Sequence, residues 1–234
     1  MNIVITGASR GIGLAIATRF VQAGWNAAIC SLQADRIQQA AAQLATVRPQ
    51  AQIFAEAVDV RNRLALESFA RQAERALGTV DVLVNNAGIF IPGSIHEEAD
   101  GVLEDTLATN LYSAYHLTRA LLPAMKSARK GHIFNICSTA SLRAYPNGGS
   151  YSISKHALLG FSRNLREEMK AFRIKVTAVC PGPTLTDSWA GFEGPPDRMM
   201  RPEDVADMVW QASQLAAQTV VEDIVLRPVE GDIG

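Results

Sequence analysis

Apolar runs that read as strands alternate with helical patterns along the whole chain, and nothing else in the sequence constrains the fold as strongly. Residues 2–6, 26–30, 53–58, 80–84, 131–137, 174–179 and 219–227 are strand-like. The first of the intervening helical patterns carries Leu14, Ile16, Ala17, Phe20 and Val21 at i, i+3, i+4 spacing ahead of a closing Gly24. An alanine-rich helix follows over 35–45, and another runs from an Asn62 N-cap to Leu77 with Gly78 closing it. Further helices cover 103–128 and 151–169, and the last starts at Pro202 with Glu203 and Asp204 in its first turn. Such alternation predicts a single α/β domain over residues 1–234, a parallel sheet with helices on both faces. The 234 residues suit one large domain, and no internal repeat or linker divides them.

Ligands of such sheets bind beyond the carboxyl ends of the strands, and unusual residues gather there. Gly7-Ala8-Ser9-Arg10-Gly11-Ile12-Gly13 links the first strand to its helix. Glycines allow a tight turn and close backbone approach, and the helix N-terminus offers unpaired N–H groups to a pyrophosphate. The spacing is Gly-x-x-x-Gly-x-Gly, not Gly-x-Gly-x-x-Gly. Asp59-Val60 ends the third strand, Asn85-Asn86-Ala87-Gly88 the fourth, Ser138 the fifth, and Pro181-Gly182-Pro183-Thr184-Leu185-Thr186 the sixth.

Beyond Ser138, a loop marked by Pro146, Asn147, Gly148 and Gly149 leads into a helix with Tyr151 and Lys155 at i and i+4, on one face. A phenol titrates near ~10 in water, and a nearby cation is expected to draw it toward neutrality. An isolated Tyr-x-x-x-Lys is most often an ordinary helix surface, so the pair gains meaning only from the motifs around it. Asn110, inside the 103–128 helix, reads on its own as a solvent-facing asparagine, the other reading being a kink or hydrogen-bond station.

A formal net charge of -1 and the absence of any basic run speak against nucleic acid or an anionic membrane as partner. No stretch approaches the ~18 apolar residues of a membrane span. Met1 runs into Ile3-Val4-Ile5 without space for a signal peptide, and the expectation is a cytoplasmic protein. Cys30, Cys137 and Cys180 lack metal-ligand spacing and fall in apolar runs, as buried structural thiols do.

Taken together these motifs resemble the short-chain dehydrogenase/reductase family, and the likeness covers nearly the whole chain. It implies a Rossmann-type doubly wound sheet and an enzyme. Residues 6–13 are similar to the family's cofactor turn, with Gly7, Ser9, Arg10, Gly11, Ile12 and Gly13 as contacts. Asp59 and Val60 resemble its adenine-contacting pair, and Asn86, Ala87 and Gly88 its fourth-strand motif. Pro181, Gly182, Thr184 and Thr186 resemble the segment that holds the nicotinamide carboxamide. Asn110, Ser138, Tyr151 and Lys155 fall where the family has its catalytic tetrad, which moves Asn110 from the solvent-facing reading to a functional one.

The resemblance implies hydride transfer between nicotinamide and the carbonyl or secondary alcohol of a small molecule. Tyr151 would be the general acid/base and Ser138 the donor to the developing alkoxide. Lys155 would lower the phenol's pKa and hold the nicotinamide ribose. Asn110 would bend its helix and anchor a water linking Lys155 to solvent. At the end of the second strand, Cys30-Ser31-Leu32 has no acid for a ribose 2′-OH; Ser31 and Arg10 favour NADP(H) over NAD(H), while Leu32 departs from the second basic residue of many NADP-dependent relatives. Asp35 reads as a first-turn helix residue.

The tail from Val220 to Ile233 lacks the Val-Asp-Gly-Gly-like ending of 3-oxoacyl-carrier-protein reductases and looks more like a sepiapterin-reductase-like pterin carbonyl reductase. A nucleotide-binding sensor without chemistry is the different-class alternative, which the presence of both Tyr151 and Lys155 disfavours. The apolar loop at about 187–201, with Trp189, Phe192, Met199 and Met200, is expected to cover substrate. Leu107, Leu111, Tyr115, Leu122, Leu158, Phe161, Leu165 and Met169 on the helices at 103–128 and 151–171 suggest a homodimer or homotetramer with those helices at the contact.

Overall fold

A computed structural model of the chain describes residues 1–187 and 195–232. Strands β1 (Asn2–Thr6), β2 (Asn26–Ser31), β3 (Ile53–Ala57), β4 (Val82–Asn85), β5 (Gly131–Ile136), β6 (Ile174–Pro181) and β7 (Asp223–Leu226) form one sheet in the order β3-β2-β1-β4-β5-β6-β7. Every neighbouring pair is parallel. Because β1 is flanked by β2 on one side and β4 on the other, the chain reverses direction across the sheet there. That switch point opens a crevice at the strands' carboxyl ends.

Helices cover both faces, as the near-continuous apolar strands require. On one face, α1 (Gly11–Gln22) and α7 (Pro202–Gln214) pack with α2 (Ala34–Val47) around Ile3, Ile5, Phe20, Ile29 and Val209. On the other, α3 (Arg63–Leu77), α5 (Ser113–Ala128) and α6 (Gly149–Met169) pack around Val4, Leu66, Phe69, Leu83, Leu117 and Ile133. The expected Asn62 cap is formed: its side chain accepts from Ala65 N at 3.1 Å. All three cysteines are buried and free, and burial pushes the Cys30 thiol up to about 12. Among the described residues no helix is long and apolar enough to cross a membrane.

Three expectations need correction. The helix predicted over 103–128 is interrupted. A short α4 (Val102–Leu107) passes through a π-helical turn, Ala108–Tyr112, before α5 begins, and Asn110 sits in that turn. The last strand begins at Asp223, not Thr219. Side chains take the carbonyls just before it: Thr177 Oγ1 donates to Val221 O at 2.6 Å, and the Arg166 guanidinium donates to Glu222 O. An apolar, β-branched run such as Thr219-Val220-Val221 predicts a ladder; buried donors on β6 and α6 satisfy its backbone instead.

The third correction concerns the helices expected to meet a second subunit. Leu158, Leu165 and Met169 are at most 5% exposed and pack into their own core. Leu111, Leu122 and Phe161 lean partly on it. Periodicity could not separate the two sides of these helices, because the sheet takes more of their apolar surface than one stripe implies.

Candidate active site

The crevice between the strand ends encloses about 1070 Å³. Its walls include Gly7, Asp59, Asn86 and Ser138, from the ends of β1, β3, β4 and β5, together with Tyr151, Lys155, Gly182 and Thr186. Motifs far apart in sequence thus share one cavity, as their strand-end positions predict.

The glycine turn is bound to the end of β4 by side chains. Asn86 Nδ2 donates to Thr6 O at 3.0 Å and to Gly7 O at 2.9 Å. Thr6 Oγ1 accepts from the backbone N–H groups of Asn86 and Ala87, at 3.1 and 3.0 Å. Gly7 adopts φ +64°, and a Cβ there would lie 2.9 Å from Ala87 Cα. A Cβ on Gly13 would lie 2.5 Å from both Asn86 Nδ2 and Gly7 O. The turn is therefore a backbone cradle in which positions 7 and 13 have no space for a side chain, at the N-terminus of α1, and it fits a pyrophosphate. Thr6 is a contributor that the sequence argument passed over, because its position at the strand end reads as ordinary β-propensity.

Farther along the crevice lie the groups expected to distinguish an adenosine 2′-phosphate. Ser31, Leu32 and Gln33 line the wall, and so does Arg36 from the first turn of α2. Arg36 thus puts a cation on this wall, where Leu32 does not, and the available signal was its position two residues into the helix that follows. Arg10 lines the same cavity, with its guanidinium paired to Asp187 across the mouth. Asp59 is bonded to Arg61 at 2.8 Å, and that hydrogen bond above all holds the carboxyl below the usual carboxylate range.

At the other end stand the four residues of the expected tetrad. Lys155, 5% exposed, donates from Nζ to Ile136 O at 2.8 Å, and its Nζ lies 5.7 Å from the centre of the Tyr151 ring. Asn110 is 1% exposed, so the solvent-facing reading fails. Its Oδ1 accepts from Ile89 N at 2.8 Å, and its Nδ2 donates to Ile89 O at 3.0 Å and to Ser154 Oγ at 2.9 Å. Ser154 Oγ in turn donates to Tyr151 O at 2.7 Å. Each such buried bond contributes about 1 kcal/mol net, and together they join the π turn, the loop after β4 and the turn of α6 that carries the tyrosine. Ser154 was missed; the signal was a serine one turn beyond Tyr151 on a helix.

A second polar network lies below. Asn85 Nδ2 donates to Thr118 Oγ1 at 3.0 Å and to Asn135 Oδ1 at 2.7 Å, and Asn135 Nδ2 donates to Ser162 Oγ at 2.8 Å. These buried residues fix α5 and α6 against β4 and β5, and hence the side chains above them. Phe90 meets the Tyr151 ring edge-on, with centroids 4.8 Å apart.

The electrostatics differ from the expectation in one respect. Burial raises the Tyr151 phenol above its ordinary value, and the Ser138 hydroxyl only partly opposes that shift. Lys155 is lowered, also by burial. Desolvation disfavours both charged forms, and the Lys155 ammonium is spent on the Ile136 carbonyl. The phenol is thus held as the neutral, proton-donating form at pH 7.

The loop expected to cover substrate falls largely at 188–194, so Trp189 and Phe192 lie outside the described residues. Its far end is anchored: Leu185 N donates to Met200 O at 2.8 Å, and Met200 N to Pro183 O at 3.0 Å.

Comparison with known proteins gives the same grouping. Residues 1–194 match the family described as short chain dehydrogenase. The NADP-dependent 3-hydroxy acid dehydrogenase YdfG of Shigella flexneri is 30% identical over 241 residues, covering 98% of this chain and 95% of that protein. The sepiapterin reductase of Chlorobaculum tepidum is 31% identical over 237 residues, covering 99% and 97%. Among solved structures, an alcohol dehydrogenase from Thermococcus sibiricus complexed with 5-hydroxy-NADP superposes with a TM-score of 0.92 at 27% identity, over 100% of this chain and 98% of the other. With a parallel sheet of this order, a glycine cradle at its switch point and relatives matched end to end, the chain belongs to the short-chain dehydrogenase/reductase family of oxidoreductases, which act on hydroxyl and carbonyl groups.

Proposed function

We propose that the protein is an NADP(H)-dependent carbonyl reductase, or secondary alcohol dehydrogenase, of small molecules, with Tyr151 as its general acid/base. The observation that carries this reading is the cavity itself. One continuous crevice joins the glycine cradle to Ser138, Tyr151 and Lys155. Bound nicotinamide supplies or takes the hydride.

The chain's own residues do the rest. Ser138 holds the substrate oxygen and stabilises its developing charge. Tyr151, kept protonated by burial, gives that oxygen its proton during reduction and takes one back during oxidation. Lys155, already desolvated, offers its ammonium to the nicotinamide ribose and to the phenolate left once Tyr151 has given up its proton. Such stabilisation acts on the charge that forms during the reaction, not on the resting phenol. Asn110 holds the loop carrying Gly88 and Ile89 in register with α6, and its bend in the helix is the place for the water that relays protons from solvent to Lys155. Asp59 and Val60 would hold the adenine, and Pro181, Gly182, Thr184 and Thr186 the carboxamide; all six line the crevice.

Support for NADP(H) comes from Ser31, Arg10 and Arg36 along one wall and from the absence of an acid at the end of β2. In agreement, YdfG is NADP-dependent and the Thermococcus sibiricus enzyme is complexed with 5-hydroxy-NADP. A panel of ketones and aldehydes with NADPH and with NADH, followed at the nicotinamide absorbance, is expected to give turnover with NADPH. Fluorescence titration should give the smaller Kd for NADPH. Absence of any turnover would return the protein to the class of sensors, and equal or tighter NADH binding would refute the cofactor assignment.

We propose that the outer faces of the same helices meet a second copy of the chain. Once their inward residues are assigned to the core, α5 and the turn before it still present Tyr112, 50% exposed, and Tyr115, 38% exposed, with Ile153 exposed on α6. A two-fold contact through these faces makes a homodimer the minimal unit. Light scattering at micromolar concentration should report at least twice 25.2 kDa. A 25.2 kDa particle would remove the proposal.

A further inference from the structure

The C-terminal segment reaches the crevice that Ser138 and Tyr151 line and brings a carboxylate with it. Asp232 lines the cavity, as does Arg143 from the loop between Ser138 and α6. Arg143 Nη2 donates to Asp232 Oδ2 at 2.8 Å, and Arg227 Nη1 donates to the same oxygen. The other oxygen, Oδ1, is buried without a hydrogen-bond partner among the described residues. A buried carboxylate oxygen left unpaired is a poorly satisfied ligand. Its partner is underused in turn. A guanidinium has five donors, and the Arg143 side chain is 62% exposed and makes one hydrogen bond among the described residues.

The backbone of the tail that delivers this carboxylate is held by Arg198, which donates to the carbonyls of Glu230, Gly231 and Asp232 at 3.3, 3.0 and 3.5 Å, so that only the Asp232 side chain has to give way. Gly231 turns at φ +85° with nothing near its missing Cβ, and its N–H donates to Pro228 O at 2.9 Å. The chain's own carboxylate therefore marks a position, in the cavity that Ser138, Tyr151 and Lys155 also line, where a carboxylate is received. Planar, two-pronged recognition of such groups is what arginine does better than lysine.

We propose that Arg143 is the receptor for a carboxylate on the substrate, and that Asp232 fills this position until an anionic substrate replaces it. The substrates are then oxo acids and hydroxy acids, and Asp232 is a tethered competitor that raises their KM. This inference rests on the reductase reading above, and its test separates the two.

Acetoacetate and levulinate, each compared with its own methyl ester, present the same ketone with and without the charge. The readout is the ratio of kcat/KM for acid to that for ester. Arg143→Gln should lower the ratio about tenfold, in keeping with a charge-assisted bond that is partly exposed. Arg143→Lys should restore part of it, and Asp232→Asn should raise it several-fold. If the Arg143–Asp232 pair only pins the tail, both variants will depress acid and ester alike and leave the ratio unmoved, which overturns the proposal.

Binding of levulinate and of methyl levulinate to the enzyme–NADPH complex, followed by nicotinamide fluorescence, reads the same site without turnover. Wild-type enzyme should prefer the acid, and Arg143→Gln should lose that preference. Equal binding of acid and ester overturns the carboxylate site. Preference for the acid without reduction of any of the four ketones overturns the reductase chemistry and upholds the site.

Discussion

Tyr151→Phe is expected to lower turnover by at least about a hundredfold, the lower end of what a general acid or base contributes, while the Kd for NADPH stays within a few-fold of wild type. The substitution removes one oxygen and keeps the ring that packs edge-on against Phe90. It also leaves the backbone carbonyl that accepts from Ser154, so the Asn110–Ser154 connection to α6 survives. A pH profile sharpens the test. Because burial raises the phenol's pKa, the donor form is fully present through neutrality and is lost only as pH climbs past that elevated value. Reduction by wild-type enzyme should therefore run flat across neutral pH and decline in the alkaline range, and the residual rate of Tyr151→Phe should lack that decline. Retention of more than about a tenth of the wild-type rate would remove Tyr151 from the acid/base role.

The sequence made the rim of the site legible and left its supports obscure, for a physical reason. Glycines in a strand-to-helix turn, an asparagine after a strand, and a tyrosine one helical turn before a lysine are departures from what local structure needs, so they stand out. Thr6, Asn85, Asn135, Ser154 and Ser162 do not stand out. Each is a small polar residue in a strand or helix, and its role depends on a partner 27 to 81 positions away. Asn110 lies between these cases. Helix propensity alone assigned it to solvent, and only its place among the other motifs argued otherwise; its burial in a π turn agrees with the second argument. The direction of the Tyr151 shift was misjudged because sequence gives the separation of two charges along a helix but not their desolvation, which here dominates.

Gly13→Ala, at the cofactor turn, should give the second large effect. By helix propensity the change should help, since alanine is favoured over glycine by about 1 kcal/mol inside a helix. The new methyl, however, would stand 2.5 Å from Gly7 O and from Asn86 Nδ2, and 3.0 Å from Ala8 Cα. Two of those atoms belong to the backbone and cannot swing aside, so the turn must move away from α1 or from β4. Either movement strains the Asn86 bonds to Thr6 and Gly7, worth about 1 kcal/mol each, in addition to the ~1–3 kcal/mol typical of overpacking. The loss exceeds the propensity gain by about 2–4 kcal/mol, which for a chain of this size lowers Tm by at least about 4–8 °C. NADPH affinity should fall by more, about tenfold or beyond, because the displaced amides are those the pyrophosphate approaches. Thermal unfolding with and without NADPH measures both, since bound cofactor raises Tm in proportion to the logarithm of its concentration over Kd. A variant with wild-type Tm and an undiminished NADPH-induced rise would show that the cradle tolerates a side chain, and the pyrophosphate would then have to be held elsewhere in the crevice.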